Sequence, residues 1–137
     1  MRLTLAKLAI TAAVANQIGP PAAAQLLDAP RSALLQATFN YGSGGTTVDA
    51  WVQTSVDGGA TWIDVANFHF TTASARYLFN LSSLTPVTTE ATPTDGTLAA
   101  NTSKDGFLGP LWRVKTTSTG TYAGGTTLQI DASLPDR

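Results

Sequence analysis

The sequence has no cysteine, one histidine and one methionine among 137 residues. The first absence removes disulfides, thiolate nucleophiles and Cys-type zinc sites together. A single imidazole, His69, leaves little for histidine-based metal or acid–base chemistry. Charge is scarce as well: Asp, Glu, Lys and Arg make up 12% of the chain, about half the usual share. Eight Lys+Arg against nine Asp+Glu give a net charge of -1, so there is no basic excess to neutralise a phosphate backbone and no nucleic-acid partner is expected. No run of like charge marks a tail. No apolar run reaches the roughly 20 residues of a helical membrane span, and no membrane partner is expected. With 43% hydrophobic and 8% aromatic residues, disorder is excluded for most of the chain. The length suits one domain.

The chain divides at Pro30. Before it, Leu3 to Ala15 is rich in Ala and Leu and predicts a short helix, stopped by Gly19-Pro20-Pro21. Arg2 and Lys7 ahead of the apolar stretch Leu8 to Ala15 also suit a signal peptide cleaved near residue 24. The preferred reading of residues 1–29 is instead a docking arm. Its Leu3, Leu5, Leu8 and Ile10 are too apolar to lie in water without a partner.

After Pro30 the hydrophobic period becomes two. Strands are predicted at Leu34 to Tyr41, Thr47 to Val56, Trp62 to Phe70, Arg76 to Leu81, Leu111 to Ser118 and Thr126 to Ala132. The expected core includes Phe39, Val48, Val52, Phe68, Leu128 and Ile130. Short strands separated by glycine turns point to an all-β fold over residues 30–137, an antiparallel β-sandwich or small barrel. Residues 82–110, rich in Thr, Ser, Pro and Gly, read as a long irregular loop. The segments Tyr41-Gly42-Ser43-Gly44-Gly45-Thr46 and Tyr122-Ala123-Gly124-Gly125-Thr126 echo one another, either as convergent turn chemistry or as related hairpins on opposite sheets.

Few residues suggest chemistry. Ser55-Val56-Asp57-Gly58-Gly59-Ala60-Thr61-Trp62 follows the pattern S-x-D-x-G-x-T-W and resembles the Asp-box of sialidases and related propellers. In those families the box is a structural hairpin turn. Ser55, Asp57, Gly59, Thr61 and Trp62 are therefore assigned to a turn, with Asp57 accepting from turn amides. One copy in 137 residues cannot build a propeller. His69 has no nucleophile elbow to serve, and Asp49 and Asp64 are read as surface positions and not as a glycosidase pair. No catalytic, cofactor-binding or metal-binding residue is assigned. Trp51 falls on the polar side of its strand and Trp112 is out of step with a buried pattern. Both are assigned to an interface, with a sugar platform as the alternative.

The segments Leu27-Asp28-Ala29-Pro30-Arg31, Gln36 to Thr46, Val52 to Ser55 and Asp57 to Asp64 together resemble small virion-associated proteins of tailed bacteriophages and prophages. The resemblance implies a non-enzymatic structural protein on the virion. A capsid decoration or cement protein is the expectation, with the major capsid protein and copies of itself as partners. The alternatives are a tail or head–tail connector component, or a carbohydrate-binding β-sandwich, secreted if residues 1–24 are a signal peptide.

Overall fold

The computed structural model describes residues 1–135. It contains eleven strands: β1 (Arg2–Ala9), β2 (Val14–Ile18), β3 (Ala24–Gln25), β4 (Ser32–Asn40), β5 (Ser43–Gly44), β6 (Thr47–Ser55), β7 (Ile63–Phe70), β8 (Ala75–Ser82), β9 (Leu111–Thr119), β10 (Tyr122–Ala123) and β11 (Thr127–Ser133). They form two main antiparallel sheets. One runs β1-β11-β4-β8. The other runs β2-β9-β6-β7, with β3 continuing the path of β2 along β9. Their inner faces share one core, which includes all six of the core residues expected from the sequence. Rings meet across the gap: Phe39 of β4 stacks on Phe70 of β7 at 4.8 Å, and Phe68 of β7 lies 5.1 Å from Phe79 of β8.

The predicted helix is absent, and the boundary at Pro30 is not a structural one. Residues 2–9 are a strand paired in antiparallel register with β11. Leu5, Leu8 and Ile10, assigned above to a docking surface, are 2%, 8% and 3% exposed and lie in the domain's own core, with Leu3 packed against it. Ala6, Leu8 and Ile10 point inward with period two, and a register shift between Thr4 and Ala6 turns Leu5 inward as well. The bulge disguises the alternation. The helical preference of Ala and Leu amounts to only tenths of a kcal/mol per residue and yields to burial of this apolar face.

The repeated Tyr and Gly-Gly segments turn out to be two crossings between the sheets. One carries the chain from β4 to β6 and the other from β9 to β11. They pair with each other through β5 and β10, with Tyr122 opposite Gly44 and Ala123 opposite Ser43. The Tyr41 and Tyr122 rings meet edge to face at 6.1 Å, and Tyr122 packs edge-on against Phe39. Burial, and secondarily the neighbouring Tyr41, raises the pKa of the Tyr122 phenol, which donates to the Thr71 carbonyl at 2.7 Å. Gly45 fits only as glycine: its φ is +69°, and a Cβ there would sit 2.3 Å from the Tyr122 ring.

Candidate functional site

The outer face of β6 is polar, carrying Asp49, Trp51, Gln53 and Ser55, yet the strand is buried from Ala50 to Ser55. Residues 83–110 cover it. This segment has no regular pairing of its own, but its residues 94–104 are fastened to β7. The Asp64 amide donates to the Thr94 carbonyl, Asn67 to Thr102, and the Lys104 amide donates back to Val65. The Asn101 side chain accepts from the His69 amide, and its own amide donates to the Asn67 side chain.

Asp64 is the centre of this attachment. It is fully buried, which corrects its reading as a surface residue. Its carboxylate accepts from the amides of Gly96, Thr97 and Leu98 at 2.8–3.1 Å, from the Thr94 hydroxyl at 2.8 Å and from Gln53 Nε2 at 2.8 Å. Consecutive amides converging on one anion form a nest, here filled by the protein's own side chain. The Trp51 indole N–H donates to the Leu98 carbonyl at 2.9 Å, and the residue is 9% exposed. Trp112 is 1% exposed and donates to the Gly109 carbonyl at 2.8 Å. Neither tryptophan is a free contact surface: the loop covers Trp51, whereas Trp112 lies in the shared core, in step with Val114 on the inner face of β9. For Trp51, period two identifies the outer face but not that another segment lies on it; for Trp112, the polar Thr116 and Ser118 on the same inner face of β9 disguise a buried pattern.

From Asp64 a polar network crosses the sheet. Gln53 Nε2 also donates to Asp95 at 2.6 Å, and its Oε1 accepts from Arg113 Nε at 2.7 Å. Lys115 donates to Asp95 at 2.6 Å. Burial alone would raise the Asp95 pKa, but the hydrogen bonds from Lys115 and Gln53 and the charges of Lys115 and Arg113 outweigh it and leave it lowered. Burial lowers the Arg113 pKa, against the opposing pull of Asp95 and Asp64. The guanidinium lies 4.1 Å from the Trp62 ring, a cation–π contact.

Trp62 ends the Asp-box octapeptide, which connects β6 to β7. Ser55 Oγ donates to Asp57 Oδ1 at 2.8 Å and accepts from the Gly59 amide at 2.9 Å. Asp57 Oδ1 accepts from the Thr61 amide at 2.9 Å, and Oδ2 accepts from the Thr61 hydroxyl. These bonds, the Thr61 hydroxyl first, lower the Asp57 pKa to about 2. Gly59 has φ +93°. All five assigned residues thus lie within one turn, and Arg113 joins that turn to the network beneath the loop.

His69 Nδ1 lies 2.9 Å from Asp49 Oδ1, and Asn67 Nδ2 donates to the same oxygen at 3.2 Å. This is an oriented carboxylate–imidazole pair. Among the described residues no hydroxyl hydrogen-bonds the ring's other nitrogen. No group of three or more His, Cys, Asp or Glu among them is placed to hold a metal ion, and no helix among them is long and apolar enough to cross a membrane. The depression over the outer face of β4 and β11 is lined by Lys7, Gln36, Thr38, Thr127, Gln129 and Asp131 among others and has no aromatic ring in its lining.

No protein-family model matches the chain, and no curated protein and no solved structure shows significant similarity to it.

Proposed function

We propose that this chain is a non-enzymatic virion structural protein of a tailed bacteriophage or prophage, a decoration protein that binds the outer capsid shell and stabilises it. The fold that serves this role is a β-sandwich whose one long connection is sealed onto a sheet. The observation that carries the non-enzymatic part is the use made of Asp64, Gln53, Asp95, Arg113 and Lys115. In an enzyme such a cluster would face a cleft. Here its hydrogen-bonding capacity is spent on holding residues 94–98 against β6 and β7. A rigid domain of low charge suits a subunit that must lie against a repeating protein surface, where many copies add avidity. The virion assignment rests on the resemblance of residues 27–127 to small phage proteins. Its partners are the major capsid protein and copies of itself, and its place is the capsid surface. The sugar-binding alternative loses the side chains that motivated it, since Trp51 lies under the loop and Trp112 in the core.

The test is to assemble capsids of the encoding phage without this protein, add it back, and measure bound copies per particle and the shell's melting temperature. Saturable binding in a fixed ratio to the major capsid protein, with a raised shell melting temperature, is expected. Binding to tails alone, or no binding to either structure, would overturn the decoration reading.

A further inference from the structure

A sheet edge presents unpaired main-chain groups, and proteins usually guard it. Three of the four edges here are guarded. Strand β1 is interrupted by its bulge, and its Lys7 amide donates to the Pro20 carbonyl. Strand β2 has five residues and a register shift, and runs into Gly19-Pro20-Pro21. Strand β7 is bonded along its edge by residues 94–104. Strand β8 differs. It pairs with β4 over eight residues without a shift, contains no proline and carries one charge, Arg76.

The direction of its main-chain groups follows from its end. The Ser83 amide donates to Arg31, which directly precedes β4. Ser82 faces the other way, its amide donating to Asp105 and its carbonyl accepting from Gly106. Main-chain groups alternate sides along an antiparallel strand, so those of Arg76, Leu78 and Asn80 point away from β4. Among the described residues, nothing bonds them.

We propose that β8 is a self-pairing edge, joining two copies of this chain antiparallel across a two-fold axis at Leu78. The strand's own sequence selects this occupant, because it is a near-palindrome about that residue. Arg76 would face Asn80 of the second copy, so no two like charges meet. Tyr77 would face Phe79, an aromatic cross-strand pair. Leu78 would face Leu78. All three outward residues fall at hydrogen-bonded positions in this register, giving about six inter-copy main-chain bonds. The surface left exposed fits as well. Leu34 and Leu78, 45% and 49% exposed, lie diagonally adjacent on the outer face of β4 and β8. Pairing would set four leucines in one row, while Tyr77, 41% exposed and stacked on Phe70 at the open rim, would gain its missing neighbour. The result is a continuous eight-stranded sheet made by an isologous contact.

The inference refines the expectation that this protein meets copies of itself, but the pairing is tested on free protein, so its failure would leave capsid binding standing and the reverse. The chain has no cysteine, which makes single-cysteine variants clean probes. In the proposed register the two Leu78 Cα atoms lie about 5.5 Å apart, within disulfide range. The two Asn80 Cα atoms lie about 14 Å apart along antiparallel strands, outside it. Leu78→Cys should therefore form a covalent dimer under mild oxidation at least tenfold faster than Asn80→Cys, with both variants folded by circular dichroism. Leu78→Lys and Leu78→Glu should each be monomeric in analytical ultracentrifugation, and mixing them should restore the dimer. Equal cross-linking at positions 78 and 80, or a wild-type chain that stays monomeric up to about 0.5 mM, a concentration at which a weak specific contact would be populated, would overturn the proposal.

Discussion

Replacing Asp64 tests whether residues 83–110 are held by a buried carboxylate or merely rest on the sheet. In Asp64→Ala the amides of Gly96, Thr97 and Leu98 and the Thr94 hydroxyl lose their acceptor, and Gln53 Nε2 loses one of its two. If the loop stayed in place, each orphaned buried donor would cost roughly 1–3 kcal/mol. That total would exceed the cost of releasing the segment, so the loop should detach and let water satisfy the donors. The loss is then limited by what detachment exposes. Trp51 would lose its cover and its bond to Leu98. A Trp side chain buries about 150–250 Å² in full, and uncovering about half of it costs roughly 2–3 kcal/mol at 25 cal/mol per Å². With the hydrogen bonds to Gln53 and Thr94 lost as well, Asp64→Ala should destabilise by about 3–5 kcal/mol in urea titration. Asp64→Asn, which keeps one acceptor oxygen, should lose about 2–3 kcal/mol. Amide hydrogen exchange locates the effect: protection at residues 96–98 should collapse while that of β4 and β11 falls only with global stability. A loss under about 1 kcal/mol with residues 96–98 still protected would refute the reasoning, because the donors would then have another acceptor.

Three further outcomes follow from other parts of the fold. Leu5→Ala should cost about 2–5 kcal/mol by urea titration, since Leu5 is 2% exposed in the shared core, and an unchanged midpoint would return residues 1–10 to the status of an arm. Gly45→Ala should cost roughly 2–5 kcal/mol in the same assay, from positive φ and collision with the Tyr122 ring, while Tyr122→Ala should relieve the collision and make the double variant less than additive. The Asp57 carboxyl is lowered to about 2 from 3.8, so the folded state favours its ionised form. Its contribution to stability is present above about pH 4 and is lost as pH falls toward 2. Thermal melts from pH 5 to pH 2 should show a smaller drop for Asp57→Asn than for the wild type.

The strands after Pro30 were legible because each has one face in the core. Phe39, Val48, Val52, Phe68, Leu128 and Ile130 alternate with polar residues, and that period survives in a single sequence. Strand β1 was not legible, because its bulge shifts the period between Thr4 and Ala6 and leaves a Leu- and Ala-rich string that reads as helix. The Asp-box turn was legible for the opposite reason. Its bonds, from Ser55 to Asp57 and from Asp57 to Thr61, join residues at most four apart, so local sequence carries the whole motif.

The sealed face of β6 was the least legible part, and its chemistry explains why. A segment held by apolar packing shows itself through hydrophobic residues at regular intervals. Residues 94–104 are instead held largely by main-chain amides and small polar side chains, which any polar loop possesses. On the sheet, the matching signal was the character of the outer face: Asp49, Trp51, Gln53 and Asp64 on adjacent strands, two of them bearing charges in a chain with only 12% charged residues. Taken singly, each is an ordinary solvent-facing residue or an exposed aromatic. Taken together, a tryptophan beside an amide and a carboxylate on one sheet face is what a covered polar surface requires, since the ring needs shelter and the carboxylate needs donors. The loop supplies both through Leu98, whose carbonyl accepts from Trp51 and whose amide donates to Asp64. One loop residue thus bridges an aromatic on β6 and an anion on β7, and the contact lies 34 or more residues away in sequence. Only the folded register of β6 against β7 brings those two side chains to the same peptide.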